Sequence, residues 1–364
     1  MKFRCEREVL AEAFGAASRA STGRATSPTY SCLRLALGDD SLRVTGTDGD
    51  LYIESTIAVA KSSDGVVLVP AKLASEVVRS LPAGAVDFET TGDSAVIQSD
   101  RVRFTVPLAA EGDFPKWSGS VGVGAPMSAK DLSEALKQVV RAASTDELRG
   151  IYTGVMFTSV NGNLRLVSTD MYRLAVREVD ASILADGTKV IIPARALSEL
   201  QRLLSAGDRV SMAVTDNDVT FEVGNVRLVS RRLIGDFPAY ENLIPSNLPI
   251  TIVVNREEMM ESVRRVKLVA KDPVGTPLRL QTSADSITLR MITPDNGEST
   301  AIVDAKVQGD DIAEIRFNNE MLLQGLDAIT AEEVSIQISE PRKPALIRGV
   351  GQNDYTYLLM PLRV

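Results

Sequence analysis

The sequence contains no histidine, and this absence removes several classes of enzyme at once. Histidine is the usual general base near neutral pH and the commonest ligand of catalytic zinc. Ser-His-Asp and Cys-His nucleophilic chemistry are therefore excluded. Cysteine is also scarce. Cys5 and Cys32 are too few for a secreted disulfide framework or a zinc site of standard ligand spacing, so we expect two buried thiols.

Nucleotide-binding motifs and long apolar runs are missing as well. No phosphate-binding loop ending in Gly-Lys-Ser or Gly-Lys-Thr occurs, and Gly122 with Gly124 lacks the third glycine of a dinucleotide fingerprint. No apolar run approaches the roughly 18 residues of a membrane span, and the opening MKFRCEREVL contains no apolar signal segment. We therefore expect a soluble, cytoplasmic protein that needs no cofactor or metal ion.

The overall composition is that of a globular protein with several domains. Apolar residues make up 44% and charged residues 24% of the 364 residues. Because single domains usually contain about 100 to 200 residues, two or three domains are expected. The net charge of −8 argues against indiscriminate nucleic-acid binding by the whole surface, but it does not exclude a local basic stripe.

The most informative feature is an internal repeat. The segments LRVTGTDGDLYIES and LRLVSTDMYRLAVRE share a Thr-Asp pair that recurs from Asp48 to Asp170, a shift of 122. VLVPAKLASEVVRSL and VIIPARALSELQRLL align Pro70 with Pro193, a shift of 123, and the Asp-Phe-Pro motifs of EGDFPKW and IGDFPAY keep the same shift. Three separate blocks at nearly one offset indicate a repeated domain of roughly 120 residues.

A third, more diverged copy completes the pattern. ITLRMITPDNGESTAIVD from Ile287 resembles the Thr-Asp block, and IRFNNEMLLQGL from Ile315 resembles the block around Pro70. Each copy predicts an amphipathic helix, several short strands, a second helix and three closing strands. The first helices are predicted near 7–20, 129–143 and 256–270, with Ser128 as a candidate N-cap of the second.

Two boundaries separate the copies. The linker SGSVGVGAP begins at Ser118, and a second candidate boundary lies between Pro245 and Pro249. The predicted fold class is α+β, with three tandem domains at 1–121, 122–246 and 247–364.

The tandem copies, the Asp-Phe-Pro motif that closes the first two and the terminal YLLMPLRV resemble the β sliding clamp of bacterial DNA polymerase III over the whole chain. The resemblance implies a DNA clamp fold, in which each domain has two inner helices and outer antiparallel β-sheets and two chains close head to tail as a ring. It implies a non-enzymatic role in DNA replication as a processivity factor. The expected partners are a second copy of the chain, encircled double-stranded DNA, the DNA polymerase III catalytic subunit, the clamp loader, and other polymerases and repair factors that bind through short peptides.

The resemblance also implies a dimer contact between the first domain of one chain and the third domain of the other. Phe104, Val106, Leu268 and Val269 should lie there. Such pairing would cover the sheet edges at the two ends of the chain. The alternative is that these four are ordinary core residues.

Helices that line a hole around DNA should present basic faces, because phosphate attraction without base readout permits sliding. Lys72 and Arg79 in the second helix recur as Arg195 and Arg202, whereas the third copy has acidic residues, Glu320 and Asp327, at these positions. We therefore expect the third copy to rely on cations at the end of its first helix, where the helix dipole also favours them. Two loop arginines, Arg24 and Arg149, match family positions that touch DNA. The candidate DNA-facing residues are Arg24, Lys72, Arg79, Lys137, Arg141, Arg149, Arg195, Arg202, Arg264 and Arg265.

A further implication is an apolar pocket between the second and third domains that takes an extended peptide. Its expected lining is Tyr152, Thr169, Tyr172, Arg173, Leu174, Pro238, Asn242, Leu243, Val274, Asn318, Met321, Leu358, Met360, Pro361, Leu362 and Arg363. Met171 stands where some members have glycine, and Asn242 where others have a basic residue. YLLMPLRV is alternatively a plain core strand, although Pro361 favours an edge position.

Two other interpretations stay open. The carboxylates Asp48, Asp50 and Glu54 could hold a metal or act as acid and base in an enzyme, although Thr-Asp-Gly between two β-rich runs is also a normal hairpin turn. A non-replicative paralogue, for instance one that resists an antibiotic directed at the pocket, shares the fold and surfaces. No role is predicted for Trp117 or for either cysteine.

Overall fold

A computed structural model describes residues 1–21, 28–110, 112, 114–115, 117, 124–270, 276–312 and 314–362. In these residues the chain is α+β, with six α-helices and 25 strands. None of the described helices is long and apolar enough to cross a membrane. The described residues also contain no group of three or more Cys, Asp or Glu side chains that could hold a metal ion.

The elements follow the same order in each copy of the repeat. The first copy contains β1 (Lys2–Glu6), α1 (Arg7–Ser18), β2 (Cys32–Gly38), β3 (Ser41–Thr47), β4 (Leu51–Ala58), β5 (Ala60–Ser63), β6 (Gly65–Pro70), α2 (Ala71–Ser80), β7 (Ala85–Thr91), β8 (Ser94–Ser99) and β9 (Val102–Pro107). The second contains β10 (Ala125–Ser128), α3 (Ala129–Val139), β11 (Gly154–Val160), β12 (Asn163–Thr169), β13 (Arg173–Val179), β14 (Lys189–Pro193), α4 (Ala194–Leu203), β15 (Arg209–Val214), β16 (Asp218–Val223) and β17 (Val226–Arg231). The third contains β18 (Ile250–Asn255), α5 (Arg256–Val266), β19 (Leu278–Ser283), β20 (Ser286–Thr293), β21 (Gly297–Gln308), β22 (Ile315–Phe317), α6 (Asn319–Asp327), β23 (Glu333–Ile338), β24 (Ala345–Gly349) and β25 (Tyr355–Leu359).

Polar side chains begin three of these helices. Ser128, Asn255 and Asn318 each accept a hydrogen bond from the backbone N–H three residues later, at 3.2, 3.0 and 3.0 Å respectively. Such caps satisfy N–H groups that have no partner inside the helix. The prediction of Ser128 as an N-cap is therefore confirmed.

The first helix of each copy is shorter than its predicted span. α1, α3 and α5 end at Ser18, Val139 and Val266, and the last two continue as single 3₁₀ turns. A 3₁₀ turn still presents side chains at nearly helical spacing, which explains why the apolar pattern extended the predicted helices beyond their α-helical ends.

The residues form two compact units, each made of about one and a half copies of the repeat. Unit 1 contains Met1–Asp131 and Arg195–Arg232. Unit 2 contains Leu132–Ala194 and Leu233–Val364. The second copy is thus divided between the units.

Unit 1 contains two antiparallel sheets. One has the strand order β5-β1-β7-β8-β9, and the other has the order β10-β15-β16-β17-β4-β3-β2-β6. α1 and α2 pack against each other, and α1 also packs on β3 and β4. Phe3, Phe14 and Phe88 are buried in the core, where the rings of Phe3 and Phe88 stack with their centroids 4.9 Å apart.

Unit 2 is built on one sheet of 12 strands in the order β14-β11-β12-β13-β25-β24-β23-β18-β21-β20-β19-β22. α5 and α6 pack against each other, α5 packs on β20 and β21, and α6 contacts β25. Tyr355 and Tyr357 of β25 are fully buried beside these helices, and the Tyr357 hydroxyl donates a hydrogen bond of 2.8 Å to the carbonyl oxygen of Met321. Burial raises the pKa of Tyr357 to about 12, so its phenol stays neutral.

One strand pairing joins successive copies inside each unit. β17 pairs with β4, with Val229 opposite Tyr52, and β25 pairs with β13, with Leu358 opposite Leu174. Tyr52 and Leu174 are 122 positions apart, so the two junctions share one register. The repeat predicted from sequence is therefore confirmed at the level of backbone pairing. The pairing also explains why the second copy is divided, since its closing strands belong to the sheet of the first copy.

Both cysteines are free thiols, as the sequence predicted, but only Cys32 is fully buried. Cys5 is half-buried on β1. Burial, with the nearby charges of Glu6 and Asp87, raises the pKa of the Cys5 thiol to about 12. Cys5 is therefore a protonated and unreactive packing residue near neutral pH.

Gly46 of β3 lies against the backbone of α1, which generates a prediction. A Cβ at Gly46 would lie 2.0 Å from the carbonyl oxygen of Ala17, whereas a Cβ at Gly38 would meet no heavy atom within 4 Å. Gly46→Ala should lower the free energy of unfolding by about 1–3 kcal/mol or more, because α1 must shift. Gly38→Ala should change it by less than about 0.5 kcal/mol. Urea denaturation followed by circular dichroism measures both, and equal stability of the two variants would contradict this packing.

Candidate functional site

The basic positions predicted on the second helices are exposed. Lys72 and Arg79 project from α2, and Arg195 and Arg202 from α4. Each pair is seven residues apart, so both members lie on one helix face. The exposure of these four side chains agrees with the basic, solvent-facing helix faces that the sequence predicted.

The α2 face forms one wall of a groove in unit 1. Lys72 and Arg79 line this groove of about 380 Å³ together with Ser18, Ser21 and Ser75. The hydroxyl of Ser75 is buried and has no hydrogen-bond partner among the described residues. The Ser18 and Ser21 hydroxyls donate to the carbonyl oxygens of Gly15 and Cys32, and Glu76 also lines the groove. The groove thus combines two cations and the Ser75 hydroxyl, groups that often contact phosphate oxygens, with one carboxylate.

On α4 the cations are partly paired. Arg195 lies 2.6 Å from a carboxylate oxygen of Asp48, and Arg202 lies 2.8 Å from Glu199, which is also 3.6 Å from Arg19. More than half of the Arg195 and Arg202 side chains stays exposed. The partner carboxylates of Asp48 and Glu199 are largely buried, whereas water reaches the arginine side of each pair and screens the attraction.

The acidic positions predicted on α6 are both neutralised inside unit 2. Asp327 lies 2.5 Å from Arg141, and Glu320 pairs with Lys267. These contacts reduce the repulsion that bare carboxylates would exert on a polyanion. They also mean that the charge of Arg141, a predicted DNA-facing residue, is shared with a carboxylate.

The remaining predicted cations differ in their surroundings. Lys137 and Arg264 are exposed and have no ion-pair partner among the described residues, whereas Arg265 pairs with Glu261 at 2.5 Å. Arg24, Val274 and Arg363 lie outside the described residues.

Arg149 belongs to a different neighbourhood from the helix cations. Its guanidinium lies 5.7 Å from the centre of the Tyr172 ring, 3.4 Å from Asp146 and within a 3.1 Å hydrogen bond of the Asp170 carbonyl oxygen. These contacts hold the side chain against the loop between β12 and β13. Arg149 thus borders the predicted peptide pocket, because Tyr172 is one of the residues predicted to line it.

The centre of the predicted pocket is an apolar cluster, called here the second-junction cluster. Its buried members are Met156, Val167, Leu174, Val176, Ile191, Tyr240, Leu346 and Leu358, and Ile151, Leu233, Phe237, Ile244 and Leu248 pack around them. Two predicted residues, Leu174 and Leu358, therefore meet across the β13–β25 pairing. Burial raises the pKa of Tyr240, which receives a 3.2 Å hydrogen bond from Arg165.

Several large apolar side chains stay exposed in unit 2 close to these residues in the chain. Met171 and Tyr172, in the loop before Leu174, are 52% and 50% exposed, and Leu243 is 49% exposed. Met171 has a backbone φ of 76°, a conformation that favours glycine and that costs a side-chain-bearing residue about 1 kcal/mol or more. Pro238, Tyr152 and Met321 are half-buried, and Asn242 is exposed.

Three predicted lining residues turn out to be scaffold. Thr169 is buried and its hydroxyl donates to the Arg173 carbonyl oxygen at 2.6 Å. The Arg173 guanidinium is held by Asp170 at 3.0 Å and by Gln324. Asn318 is buried as the N-cap of α6. These side chains make internal contacts that position the loop and the helix.

The terminal segment departs from the edge-strand prediction. Tyr355–Leu359 form a buried central strand between β13 and β24, so the core-strand alternative is correct for this part. Pro361 lies beyond the strand, between a Met360 N–H that donates to the Tyr172 carbonyl at 2.9 Å and a Leu362 N–H that donates to the Arg316 carbonyl at 2.8 Å. Its missing N–H is harmless there because the neighbouring residues make the backbone contacts.

Sequence reasoning missed most members of the second-junction cluster. Met156, Val167 and Val176 lie on β11, β12 and β13, and Leu346 lies on β24. Phe237 could have been found, because it belongs to the repeated Asp-Phe-Pro motif. The others resemble ordinary strand residues in sequence.

The predicted dimer residues are divided between surface and core. Leu268 is 84% exposed, Phe104 and Val269 are half-buried, and Val106 is 1% exposed within the core of unit 1. The expectation for Val106 needs correction at the level of the side chain. It lies on β9, which pairs only with β8 among the described strands, so Val106 can reach another chain through its backbone alone.

Three tandem α+β copies, joined by shared antiparallel sheets and carrying two helices each, define a DNA clamp fold. Family models for the N-terminal, central and C-terminal domains of the DNA polymerase III beta subunit match residues 1–118, 126–239 and 241–363. The chain is 33% identical to the beta sliding clamp of Synechocystis sp. over 391 residues, with 100% of both chains covered. The chain therefore belongs to the beta sliding clamp family.

Solved structures agree with this assignment. The DNA polymerase sliding clamp from Bacillus subtilis superposes with a TM-score of 0.94 at 27% identity, covering 100% of this chain and 99% of that one. The beta sliding clamp from Caulobacter crescentus gives a TM-score of 0.93 at 30% identity over 100% and 99% of the two chains. In that structure a PEG molecule is bound at a putative beta-motif tethering region.

The buried Asp170–Arg173 pair generates a prediction for the loop beside the second-junction cluster. Each side chain is only 10% exposed, so Arg173→Ala leaves a buried carboxylate without its cation. The free energy of unfolding should fall by about 3 kcal/mol. Arg264→Ala, at an exposed arginine with no described partner, is the control and should change it by less than about 0.5 kcal/mol. An Arg173→Ala variant with unchanged urea midpoint would show that the arginine is not a scaffold residue.

Proposed function

We propose that this protein is a DNA sliding clamp that encircles duplex DNA as a homodimer and keeps the replicative polymerase on its template in the cytoplasm. The observation that carries the proposal is the threefold repeat, whose copies match the three beta-subunit domains along the whole chain. We place the domains at 1–121, 122–246 and 247–364. The role is mechanical: the protein supplies a topological link and docking sites, and the polymerase supplies the chemistry.

Unpaired strand edges support a head-to-tail dimer. β17 and β25 close the second and third copies by pairing with β4 and β13 of the preceding copy. β9 closes the first copy but has no described strand on its outer side, and residues 297–304 of β21 pair only with β20. If β9 of one chain pairs with β21 of a second chain, the contact repeats the junction seen between successive repeats. Two such contacts close a dimer. Leu268, exposed after α5, adds an apolar anchor to this contact.

The exposed cations on α2, α4 and α5 support binding to the phosphate backbone. All five are long, exposed side chains: Lys72, Arg79, Arg195, Arg202 and Arg264. Attraction of this kind is salt-sensitive and indifferent to sequence. It therefore permits a ring to slide. In unit 2, Lys137, Arg141 and Arg265 are further candidates for phosphate contact, whereas Arg149 is assigned to the peptide pocket.

The second-junction cluster supports a peptide pocket in unit 2. Exposed Met171, Tyr172 and Leu243 offer apolar contacts around a buried floor that contains Leu174 and Leu358. Methionine and leucine side chains repack readily around different guests. We assign this pocket to short peptides from the DNA polymerase III catalytic subunit, the clamp loader, and other polymerases and repair factors.

A release experiment tests the topological link. The protein is loaded on a nicked circular duplex by a cognate clamp loader, the free protein is removed, and the circle is then cut once. A ring should stay on the circle and leave the linear molecule within its sliding time. Equal retention on circular and linear DNA would overturn the proposal.

A substitution at Leu268 tests the dimer contact in the same experiment. Leu268→Lys should raise the dimer dissociation constant at least about tenfold, because it places a charge in an apolar contact, and it should shorten retention on circles. Ile234→Lys, at a residue 77% exposed elsewhere in unit 2, is the matched control and should leave both unchanged. Sedimentation equilibrium measures the dissociation constant.

The basic face of α2 yields a quantitative prediction. Lys72→Gln with Arg79→Gln should reduce the slope of log affinity against log salt by about 1.8, since each phosphate contact contributes about 0.9. Arg342→Gln with Lys343→Gln, two exposed cations in the turn before β24, removes the same charge and should not change the slope. Fluorescence anisotropy with a labelled linear duplex measures it. An equal change in both double variants would indicate a net-charge effect only.

A further inference from the structure

A second cavity lies in unit 1, at the junction between β4 and β17. It has a volume of about 460 Å³ and is lined by Arg34, Arg43, Tyr52, Glu54, Trp117 and Arg227, among others. This size is within the range of about 300–1,000 Å³ that is typical of ligand pockets. It is called here the first-junction cavity.

The first-junction cavity occupies the same place in the repeat as the second-junction cluster. Tyr52 precedes Leu174 by 122 residues, and each faces the closing strand of the next copy, at Val229 and Leu358. At the same shift, Thr45 corresponds to Val167 and Glu54 to Val176. At a shift of 123, the cavity residues Phe114, Pro115 and Trp117 correspond to Phe237, Pro238 and Tyr240.

The chemistry of the two junctions differs although the backbone frame is the same. Met156, Val167 and Val176 of the cluster are replaced by Arg34, Thr45 and Glu54 in the cavity. Arginines outnumber carboxylates among the lining residues by three to one. Arg227 is neutralised locally, 2.8 Å from Glu222 and 4.0 Å from Glu54. Arg43 therefore carries positive charge at the cavity without a carboxylate partner among the described residues.

Arg43 differs from its counterpart Arg165 in one decisive way. Arg165 pairs with Glu178 directly across the strands at 2.5 Å and donates to the Tyr240 hydroxyl at 3.2 Å. The residue across from Arg43 is Thr56, which offers no carboxylate. Arg43 has no ion pair or hydrogen bond within the part of the chain that the structure describes.

Trp117 cannot replace the hydroxyl of Tyr240. The indole N–H is a donor and offers no acceptor, and a guanidinium is also a donor only. The Trp117 Nε1 atom is buried and has no hydrogen-bond partner among the described residues, a state that is energetically unfavourable for a polar group. In the second copy, an arginine, a carboxylate and a phenol form a closed network. In the first copy, the exposed Arg43 has no carboxylate partner among the described residues, and the buried Trp117 indole has no acceptor.

We propose that the first-junction cavity is a binding site for an acidic peptide segment. A glutamate or aspartate carboxylate of the guest takes the place of the missing Glu178 equivalent, accepting from Arg43 and from the Trp117 indole. Arginine forks bind carboxylates with two parallel hydrogen bonds, which gives the site its specificity. Apolar guest side chains pack on Phe114, Pro115 and Val229. The proposal rests on the internal repeat and the cavity, and not on the encirclement of DNA.

Trp117 provides a direct test because it is the only tryptophan in the chain. Intrinsic fluorescence of the intact protein is followed during titration with a capped Glu-Leu-Glu-Leu-Glu peptide, its neutral Gln-Leu-Gln-Leu-Gln counterpart, and inorganic phosphate. We expect a saturable change with the acidic peptide and at least about tenfold weaker binding of the neutral one. No saturable change up to millimolar acidic peptide would overturn the proposal. Phosphate competing as well as the peptide would also overturn it, by reducing the site to a simple anion site.

Two variants examine the mechanism. Arg43→Gln removes the proposed fork, and Thr56→Glu supplies the cross-strand carboxylate that the second copy has, so each should weaken peptide binding at least about tenfold. Arg43 and Thr56 are both exposed, so thermal unfolding should be unchanged in both variants. Arg342→Gln is the control for net charge and should bind as the parent does. Unchanged affinity in Arg43→Gln would refute the assignment, whatever the outcome of the DNA-release experiment.

Discussion

Antiparallel pairing between the closing strand of one copy and the fourth-strand position of the preceding copy is the constraint on which the rest of the structure depends. β17 with β4 and β25 with β13 extend each sheet across a copy boundary and satisfy backbone groups that would otherwise form an open edge. The shared register also decides which side chains lie at each junction. A slip of one residue would move Tyr52 or Leu174 to the opposite face of its sheet.

The common backbone frame lets the two junctions serve different chemistry. At the second junction, Arg165 is closed off by Glu178 and Tyr240, and the residues around it are apolar. At the first junction, Thr56 and Trp117 stand at those positions, and Arg43 has no described partner. The two acceptors around Arg165 are thus replaced at the first junction, and apolar residues give way to Arg34, Thr45 and Glu54, without any change in strand order.

Nearby carboxylates partly neutralise the basic residues of the helices. Asp48 and Glu199 lie beside Arg195 and Arg202, and the carboxylates of α6 pair with Arg141 and Lys267. Arg195 and Arg202 stay more than half exposed although their partner carboxylates are largely buried, so water partly screens these pairs. A chain with a net charge of −8 can thus present basic helix faces without a strongly fixed binding geometry. Loose, salt-sensitive attraction is what sliding requires.

The sequence by itself determined the threefold repeat, the order of elements, the cap at Ser128, the basic positions of α2 and α4 and the family. Each of these depends on residue identity and local spacing, which a single strand or helix already displays. Tertiary structure alone decided that Val106 faces the core, that Thr169 and Arg173 are scaffold, that Arg149 rests on Tyr172, and that Pro361 lies beyond a central strand. It also assembled Met156, Leu174 and Leu346, and it brought Arg43 and Trp117 to one cavity. The physical reason is that a strand's face and neighbours are set by its register with strands distant in sequence, and local patterns do not contain that register.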